Sequence, residues 1–346
     1  MKICSNPRLL ELNARIWIRR FGQDFTLASV PDDQITRWKE LGFDMIWLMG
    51  VWDNNKDVIN EYCFEPELIS SYNSALKDWH KDDVIGSPYS IDRYEINPLL
   101  GTREDLLSFK KRLNNAGISL ILDFVCNHFS AKSSLIWSNK EIFLTADEFI
   151  FKNDPYTFYP SPANSKEYLA HGRDPLFPPW KDTAQINFYS REARNYLTSV
   201  LIDLTDLCDG VRCDMAMLPL NNIFYNTWIG VLKKYGFEKP EKEFWEEAIS
   251  QVKIKRDDFI FIAETYWDLE WQLQNLGFDF TYDKRLTDRL AAGAIHSIKE
   301  HLQAEKVYQE KSVRFLENHD EDRAIVKLGR ERSIAAAVVI STIPGI

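Results

Sequence analysis

The chain has 346 residues and a formal net charge of −10, from 52 acidic and 42 basic side chains. This acidic surplus argues against nucleic acid and anionic membranes as partners, because both bind basic surfaces. The sequence is 45% hydrophobic but has no apolar run of about 18 residues, so it predicts one or two globular domains and no membrane-spanning segment.

The cysteines are odd in number, and three of them lie in apolar runs: Cys4, Cys63, Cys126, Cys208 and Cys213. We interpret them as buried or free thiols rather than a disulfide framework. The first residues lack the apolar core and cleavage site of a secretory signal. Together these features predict a protein of the reducing cytoplasm.

Short apolar runs alternate with helical patterns along the chain, which is typical of a parallel sheet with helical crossovers. Helices are predicted between the runs, for example over residues 102–117 with Thr102 as the N-cap. Seven runs are predicted strands: residues 15–20, 44–50, 118–124, 209–216, 259–265, 278–283 and 313–320.

This alternation predicts a (β/α)₈ TIM barrel. Seven strands cannot close such a barrel, so we expect the eighth strand to be lacking. Either the chain is a C-terminally truncated piece, or a partner supplies the rest. A long irregular stretch after the third strand is expected to fold as an inserted subdomain, residues 128–187. The remaining residues, 1–127 and 188–346, then form the barrel, incomplete at its C-terminus.

Polar side chains follow four predicted strands at the ends where barrel enzymes place their chemistry. The third strand leads into DFVCNH, the fourth carries Arg212 and Asp214, the fifth ends at Glu264, and the seventh leads into ENHDE. A single Asp after a strand is usually a turn or cap residue. Four carboxylates in apolar surroundings are not explained that way, because each costs several kcal/mol to bury.

Arg212 and Asp214 lie two positions apart in a strand, so their side chains point to the same face. Two carboxyl groups can share one reaction when one is ionised and the other is protonated. We expect Arg212 to keep Asp214 ionised, and the apolar run before Glu264 to favour the protonated form of that residue.

The blocks DFVCNH, GVRCDMA, FIAETYW and FLENHD, in this order, resemble the four conserved regions of the α-amylase family, glycoside hydrolase family 13. GSPYSIDRYEINPLLGTREDL and WKDTAQINFYSREARNYL agree with two further family segments, and the resemblance runs from about residue 15 to the C-terminus. It implies a retaining α-glycosidase that acts on α-glucans or α-glucosides by double displacement through a covalent glycosyl-enzyme. The alternatives are a transglycosylase of the same family and a non-catalytic relative that binds sugar or protein.

The same resemblance implies the roles of the site residues. Asp214 corresponds to the nucleophile, Glu264 to the general acid/base, and Asp320 to a third acid that holds substrate hydroxyls. The other residues implied in substrate binding are the arginine beside the nucleophile, two histidines, the acid of the third strand and an aromatic platform: Arg212, His128, His319, Asp123 and Tyr89.

Asn127 matches a calcium ligand of many family members. Calcium-binding amylases usually carry Lys-His shortly after the nucleophile, whereas this chain reads Asp214-Met-Ala-Met-Leu. The sequence therefore predicts no required cofactor and disfavours calcium. It also has no His-x-His cluster of the kind a metal-dependent hydrolase would use.

Several further side chains have two open interpretations. Trp52, Tyr266 and Trp267 can stack on sugar rings or belong to the core. Asp279 and Asp283, around the sixth strand, can line the leaving-group side of the site or serve in turns.

Overall fold

The computed structural model describes residues 5–346, so Cys4 lies outside the described part. One parallel sheet of seven strands organises it, and each strand pairs with the next one along the chain. Its strands are β1 (Leu9–Asn13), β2 (Met45–Met49), β3 (Ser119–Val125), β4 (Gly210–Asp214), β5 (Ile260–Ala263), β6 (Phe280–Tyr282) and β7 (Ser312–Val313). This topology is that of a TIM-barrel-like fold.

Helices alternate with the strands as the sequence predicts. The principal ones are α1 (Asp32–Glu40), α2 (Arg103–Asn115), α3 (Arg191–Leu207), α4 (Asn221–Tyr235), α5 (Phe244–Lys255), α6 (Glu270–Asn275), α7 (Lys284–Ala292) and α8 (Arg330–Thr342). Further helices of four to seven residues lie at Ala14–Trp17, Lys56–Tyr62, Leu135–Ser138, Glu148–Asn153, Ile295–His301, Lys306–Glu310 and Ala324–Leu328. A ten-residue helix, Pro66–Ala75, lies in the irregular stretch after β2.

The N-cap predicted for α2 is confirmed. Thr102 Oγ1 accepts a hydrogen bond from Asp105 N at 3.3 Å, and Asp105 Oδ2 accepts one from Thr102 N at 2.7 Å. These reciprocal bonds form a capping box, which satisfies two backbone donors that the first helical turn leaves free.

The prediction of the first strand at residues 15–20 is wrong. Residues 14–20 form the helix Ala14–Trp17 and a 3₁₀ turn, and the strand is β1, immediately before them. Ala14, Trp17 and Ile18 are the buried apolar residues of this segment. Their spacing of three and four residues fits one face of a helix, whereas a strand would bury alternate residues.

The seventh strand is shorter than predicted and ends at Val313. Beside it, Ile346 N donates to Ser312 O at 3.0 Å, and Arg314 N donates to Ile346 O at 2.7 Å. Through these two backbone hydrogen bonds, Ile346 pairs with β7. The expected lack of an eighth strand stays a prediction.

The stretch 128–187 contains two small antiparallel sheets. His128–Ser130 pairs with Thr183–Gln185, so both ends of the stretch meet next to β3. The second sheet has three strands, Thr145–Ala146, Tyr168–Ala170 and Phe158–Pro160. Buried side chains of this stretch pack in the same hydrophobic cluster as those of the barrel.

The four described cysteines, Cys63, Cys126, Cys208 and Cys213, are buried free thiols. Among residues 5–346, no helix combines the length and apolar character needed to span a bilayer.

Candidate active site

Arg212 is a buried cation at the centre of three carboxyl groups. Its Nη1 atom lies 2.8 Å from Asp214 Oδ1 and 3.4 Å from Asp123 Oδ1. Its Nη2 atom lies 2.7 Å from Glu264 Oε2, an ion pair that lacks hydrogen-bond alignment. The carboxyl groups come from β3, from β4 and from the residue directly after β5, so three adjacent strands converge on one guanidinium.

Aromatic rings enclose the same guanidinium. Its carbon lies 5.0 Å from the ring centroid of Trp47, 5.2 Å from that of Tyr89 and 5.7 Å from that of Tyr282. Arg212 Nε also donates to Tyr282 Oη at 3.3 Å. Cation–π contacts are strongest when water is excluded, as it is around this buried side chain.

Sequence reasoning did not identify Trp47 and Tyr282 as site residues. Both belong to a separate buried cluster with alternate residues of their strands, such as Met45 and Met49 on β2. This alternation marks the face that points into the barrel, and it is the signal that could have found them.

Two donors hold the Glu264 carboxyl group. Met215 N donates to Oε2 at 2.7 Å, and Tyr266 Oη donates to Oε1 at 2.9 Å. Met215 has a φ of +44°, a left-handed conformation that is uncommon for residues other than glycine. Such backbone outliers concentrate at functional sites; here the outlier directs an N–H group from the residue after Asp214 to Glu264.

Burial dominates the electrostatics of the two aspartates. It raises the pKa of Asp214 to about 7, against the opposing charge of Arg212 and with a further upward contribution from Glu264. It raises the pKa of Asp123 to about 6. The expected ion pair with Arg212 forms and favours the ionised form of Asp214, but burial has the larger effect on its pKa.

His319 links Tyr89, Asp320 and Glu11. Its Nε2 atom lies 2.8 Å from Tyr89 Oη and 3.0 Å from Asp320 Oδ2, and its Nδ1 atom lies 2.6 Å from Glu11 Oε1. Burial alone would lower its pKa, but the hydrogen bonds to Asp320 and Glu11 prevail and raise it to about 10. Glu11 was missed because the first strand was predicted too far along the chain.

His128 contacts the backbone of Tyr89. It is buried, its ring centroid is 5.3 Å from that of Trp180, and burial lowers its pKa to about 4 against a hydrogen bond to the Tyr89 backbone. Direct contacts thus connect all the residues predicted for the site: Asp123, His128, Arg212, Asp214, Glu264, His319, Asp320 and Tyr89.

The surroundings of Asn127 do not fit calcium. Its Oδ1 atom accepts from Gln185 Nε2 at 3.0 Å, and its Nδ2 atom lies 3.3 Å from Gln185 Oε1. This reciprocal amide pair uses the oxygen that would have to face a cation. In residues 5–346 there is no group of three or more His, Cys, Asp or Glu side chains arranged to hold a metal ion.

Other candidates have structural roles. Trp52 is 1% exposed, donates to the Asp123 carbonyl at 2.7 Å and belongs to the core. Asp279 precedes β6 at the opposite end of the sheet and pairs with Lys253 at 3.2 Å. Asp283 caps α7 by accepting from Leu286 N.

Comparison with known proteins identifies the family of the chain. Residues 32–346 match the family model described as the α-amylase catalytic domain. The chain belongs to the α-amylase family. In this family member, the charged cluster lies at the C-terminal ends of adjacent parallel strands, where barrel enzymes carry out their chemistry.

Two curated relatives of the chain are also named as α-amylases. "Alpha-amylase MalA" of Haloarcula japonica is 26% identical over 344 residues, which cover 95% of this chain and 42% of that protein. "Alpha-amylase 2" of Dictyoglomus thermophilum is 28% identical over 236 residues, 67% of this chain and 37% of that protein. The chain thus spans less than half the length of these relatives.

Solved structures agree on the fold. An α-amylase from Lactobacillus plantarum superposes with a TM-score of 0.62 at 20% identity and covers 99% of this chain and 70% of its own. A noncanonic maltogenic α-amylase, AmyB from Thermotoga neapolitana, gives a TM-score of 0.65 at 22% identity, with coverage of 99% and 67%.

Proposed function

We propose that the protein containing this chain is a retaining α-glycosidase that acts on α-glucans or α-glucosides. One observation carries the proposal: a single guanidinium, that of Arg212, contacts both Asp214 at 2.8 Å and Glu264 at 2.7 Å. Two carboxyl groups gathered in this way can serve as nucleophile and acid. Retention requires a separation of about 5–5.5 Å between them, and we expect that spacing here.

In the first step, the ionised Asp214 carboxylate attacks the anomeric carbon of the sugar. The bond from that carbon to the leaving oxygen breaks, and Glu264 gives its proton to that oxygen. The product of the step is a glycosyl ester on Asp214, with Glu264 left ionised. Asp320 and the neighbouring carboxylates stabilise the positive charge that develops on the ring.

In the second step, the Glu264 carboxylate takes a proton from water while the water oxygen attacks the anomeric carbon. The ester bond breaks and Asp214 leaves as a carboxylate, so both side chains return to their starting states. Two inversions at the same carbon give net retention of the α-configuration.

The proposal is tested by a hydrolysis screen of the full-length protein on maltooligosaccharides, sucrose, trehalose and aryl α-glucosides. We expect release of sugar, with the α-anomer appearing first by NMR, and a loss of roughly 10³-fold or more in Asp214→Ala. Release of the β-anomer first, or equal activity in the variant, would contradict the mechanism.

The same screen separates the alternatives. Transfer products that exceed hydrolysis products would assign the protein to the transglycosylases, which use a sugar hydroxyl in place of water. Sugar binding by a folded protein with no bond cleavage would assign it to the non-catalytic relatives.

We further propose that the protein works in the cytoplasm, which the buried free thiols support. We also propose that it requires no cofactor. Full activity after dialysis against a chelator is the expected result, measured on whichever substrate the screen identifies.

A further inference from the structure

The two oxygens of the Glu264 carboxyl group have different neighbours. Oε2 accepts a hydrogen bond from Met215 N at 2.7 Å and lies 2.7 Å from Arg212 Nη2. Both neighbours carry N–H groups, which favour negative charge on this oxygen and cannot accept a proton from it. The proton of Glu264 is therefore better accommodated on Oε1.

Oε1 is contacted by a hydroxyl group instead. Tyr266 Oη donates to it at 2.9 Å and is the hydrogen-bond partner of this atom within residues 5–346. A hydroxyl differs from an N–H group because it can donate to a carboxylate and can also accept from a carboxylic acid. Since a carboxyl oxygen has two lone pairs, a position for a proton is left on Oε1. Tyr266 can therefore stay bound to Oε1 in both protonation states of Glu264.

Burial strengthens this contact. Glu264 is 3% exposed, and a hydrogen bond to a charged group is stronger where water is excluded. Burial and the neighbouring charge of Glu264 also raise the pKa of Tyr266. The hydroxyl therefore keeps its hydrogen at neutral pH and can donate it to Oε1.

The backbone that follows Tyr266 is held in an unusual turn. Trp267 and Asp268 have φ values of +62° and +63°, two successive left-handed residues that are not glycine. Leu269 N donates to Tyr266 O at 3.3 Å and closes the turn, and the Asp268 carboxylate pairs with Arg285 of α7. Such conformations persist only where surrounding contacts hold them, and they concentrate at functional sites. The turn therefore indicates that Tyr266 has a fixed position.

We infer that Tyr266 is a positioning residue for acid catalysis, which holds Glu264 Oε1 as the atom that gives and takes the proton. This inference rests on the proposed function for its reaction. In the first step, the bond between Oε1 and its proton breaks while the proton bonds to the leaving oxygen, and the electron pair stays on Oε1. The Tyr266 hydroxyl donates to the oxygen on which this negative charge develops, and so lowers the barrier.

Tyr266→Phe in the full-length protein tests the inference, because it keeps the aromatic ring and removes only the hydroxyl. The value of kcat/KM is measured on two substrates with the same glycosyl group: the glucan or glucoside that the wild type cleaves fastest, and the corresponding α-glycosyl fluoride. A sugar oxygen needs a proton in order to leave, whereas fluoride leaves as a stable anion.

We expect kcat/KM of Tyr266→Phe to fall about 10- to 100-fold on the oxygen-linked substrate, the range for losing a hydrogen bond to a charged group. On the fluoride it should stay close to the wild-type value, which also reports that the variant is folded. Tyr235→Phe is the matched control, because it removes a hydroxyl that accepts from Asp147 N at 2.8 Å, outside the site. It should leave both reactions unchanged.

Two results with an active wild type would overturn the inference and leave the proposed function standing. An equal loss on the two substrates would assign the Tyr266 hydroxyl a general structural role, and no loss on either would show that the acid does not need it. A wild type that cleaves no sugar substrate gives a different result, in which the proposed function fails and the inference fails with it.

Discussion

Arg212 compensates three buried carboxyl groups, and no other cation of the described chain contacts Asp214. Breaking a buried ion pair by removing one partner leaves an uncompensated charge, which typically costs 3–5 kcal/mol. The same side chain therefore supports both the stability of the barrel and the geometry of the site.

We expect Arg212→Leu to lower the free energy of unfolding by about 3–5 kcal/mol at pH 8, measured by urea denaturation. The loss should shrink at pH 5, because Asp214 and Asp123 can then take up protons. Arg93→Leu is the control, since Arg93 is an exposed arginine in surface ion pairs worth about 1 kcal/mol or less. Equal losses in the two variants would argue against a central role for Arg212.

The raised pKa of Asp214 has a kinetic consequence. The nucleophile must be ionised, so the acidic limb of the kcat/KM profile should have its midpoint near pH 7, the pKa that burial produces for Asp214. Asp123→Asn removes a neighbouring negative charge, so the pKa of Asp214 falls and the acidic limb moves to lower pH. The pH profile of both proteins on an aryl α-glucoside measures this; an unmoved limb would assign it to another group.

At the level of elements, β4 depends on close contact with its neighbours. A Cβ atom at Gly210 would lie 2.5 Å from Ile260 Cβ and 2.6 Å from the Ile260 carbonyl oxygen. The backbone of β5 would have to move to admit it. Glycine here allows β4 and β5 to pair at the distance that brings Asp214 and Glu264 to one arginine.

Gly210→Ala should destabilise the protein by about 1–3 kcal/mol through overpacking, measured by thermal or urea unfolding. Gly230→Ala is a matched control in α4, where the added methyl group meets nothing within 4 Å. Alanine has the higher helix propensity, so this variant should gain about 0.5–1 kcal/mol. Opposite signs for one chemical change separate packing from backbone entropy. A loss in both variants would contradict the assignment for Gly230, and a gain in both would contradict that for Gly210.

At the level of the whole molecule, the Glu11–His319 contact joins the first strand to the segment after the seventh. The pKa of His319 is raised from its usual 6.5 to about 10 in the folded protein. Its protonated form therefore stabilises the fold fully below about pH 6.5, and this contribution is lost as the pH rises towards 10.

The Tm of the wild type should therefore fall between pH 6 and pH 10 by more than that of Glu11→Gln, which lacks one of the two carboxylates that hold the proton on His319. Scanning calorimetry at both pH values measures the difference. Parallel loss in the two proteins would show that His319 is not the group responsible.

The sequence by itself determined the order of strands and helices, the capping of α2 and the polar residues at the strand ends. These features are local: alternation, caps and charged residues next to apolar runs can be read within a few positions. The predicted site residues Asp214, Glu264 and Arg212 belong to this class, and the structure brings them together.

Only the tertiary structure decided how these residues interact. Glu11 and His319 are 308 positions apart, and no local pattern pairs them. Trp47 and Tyr282 became site residues because the sheet brings their strands around Arg212. The pKa of Asp214 is the net result of burial and opposing charges, and both depend on which strands lie side by side.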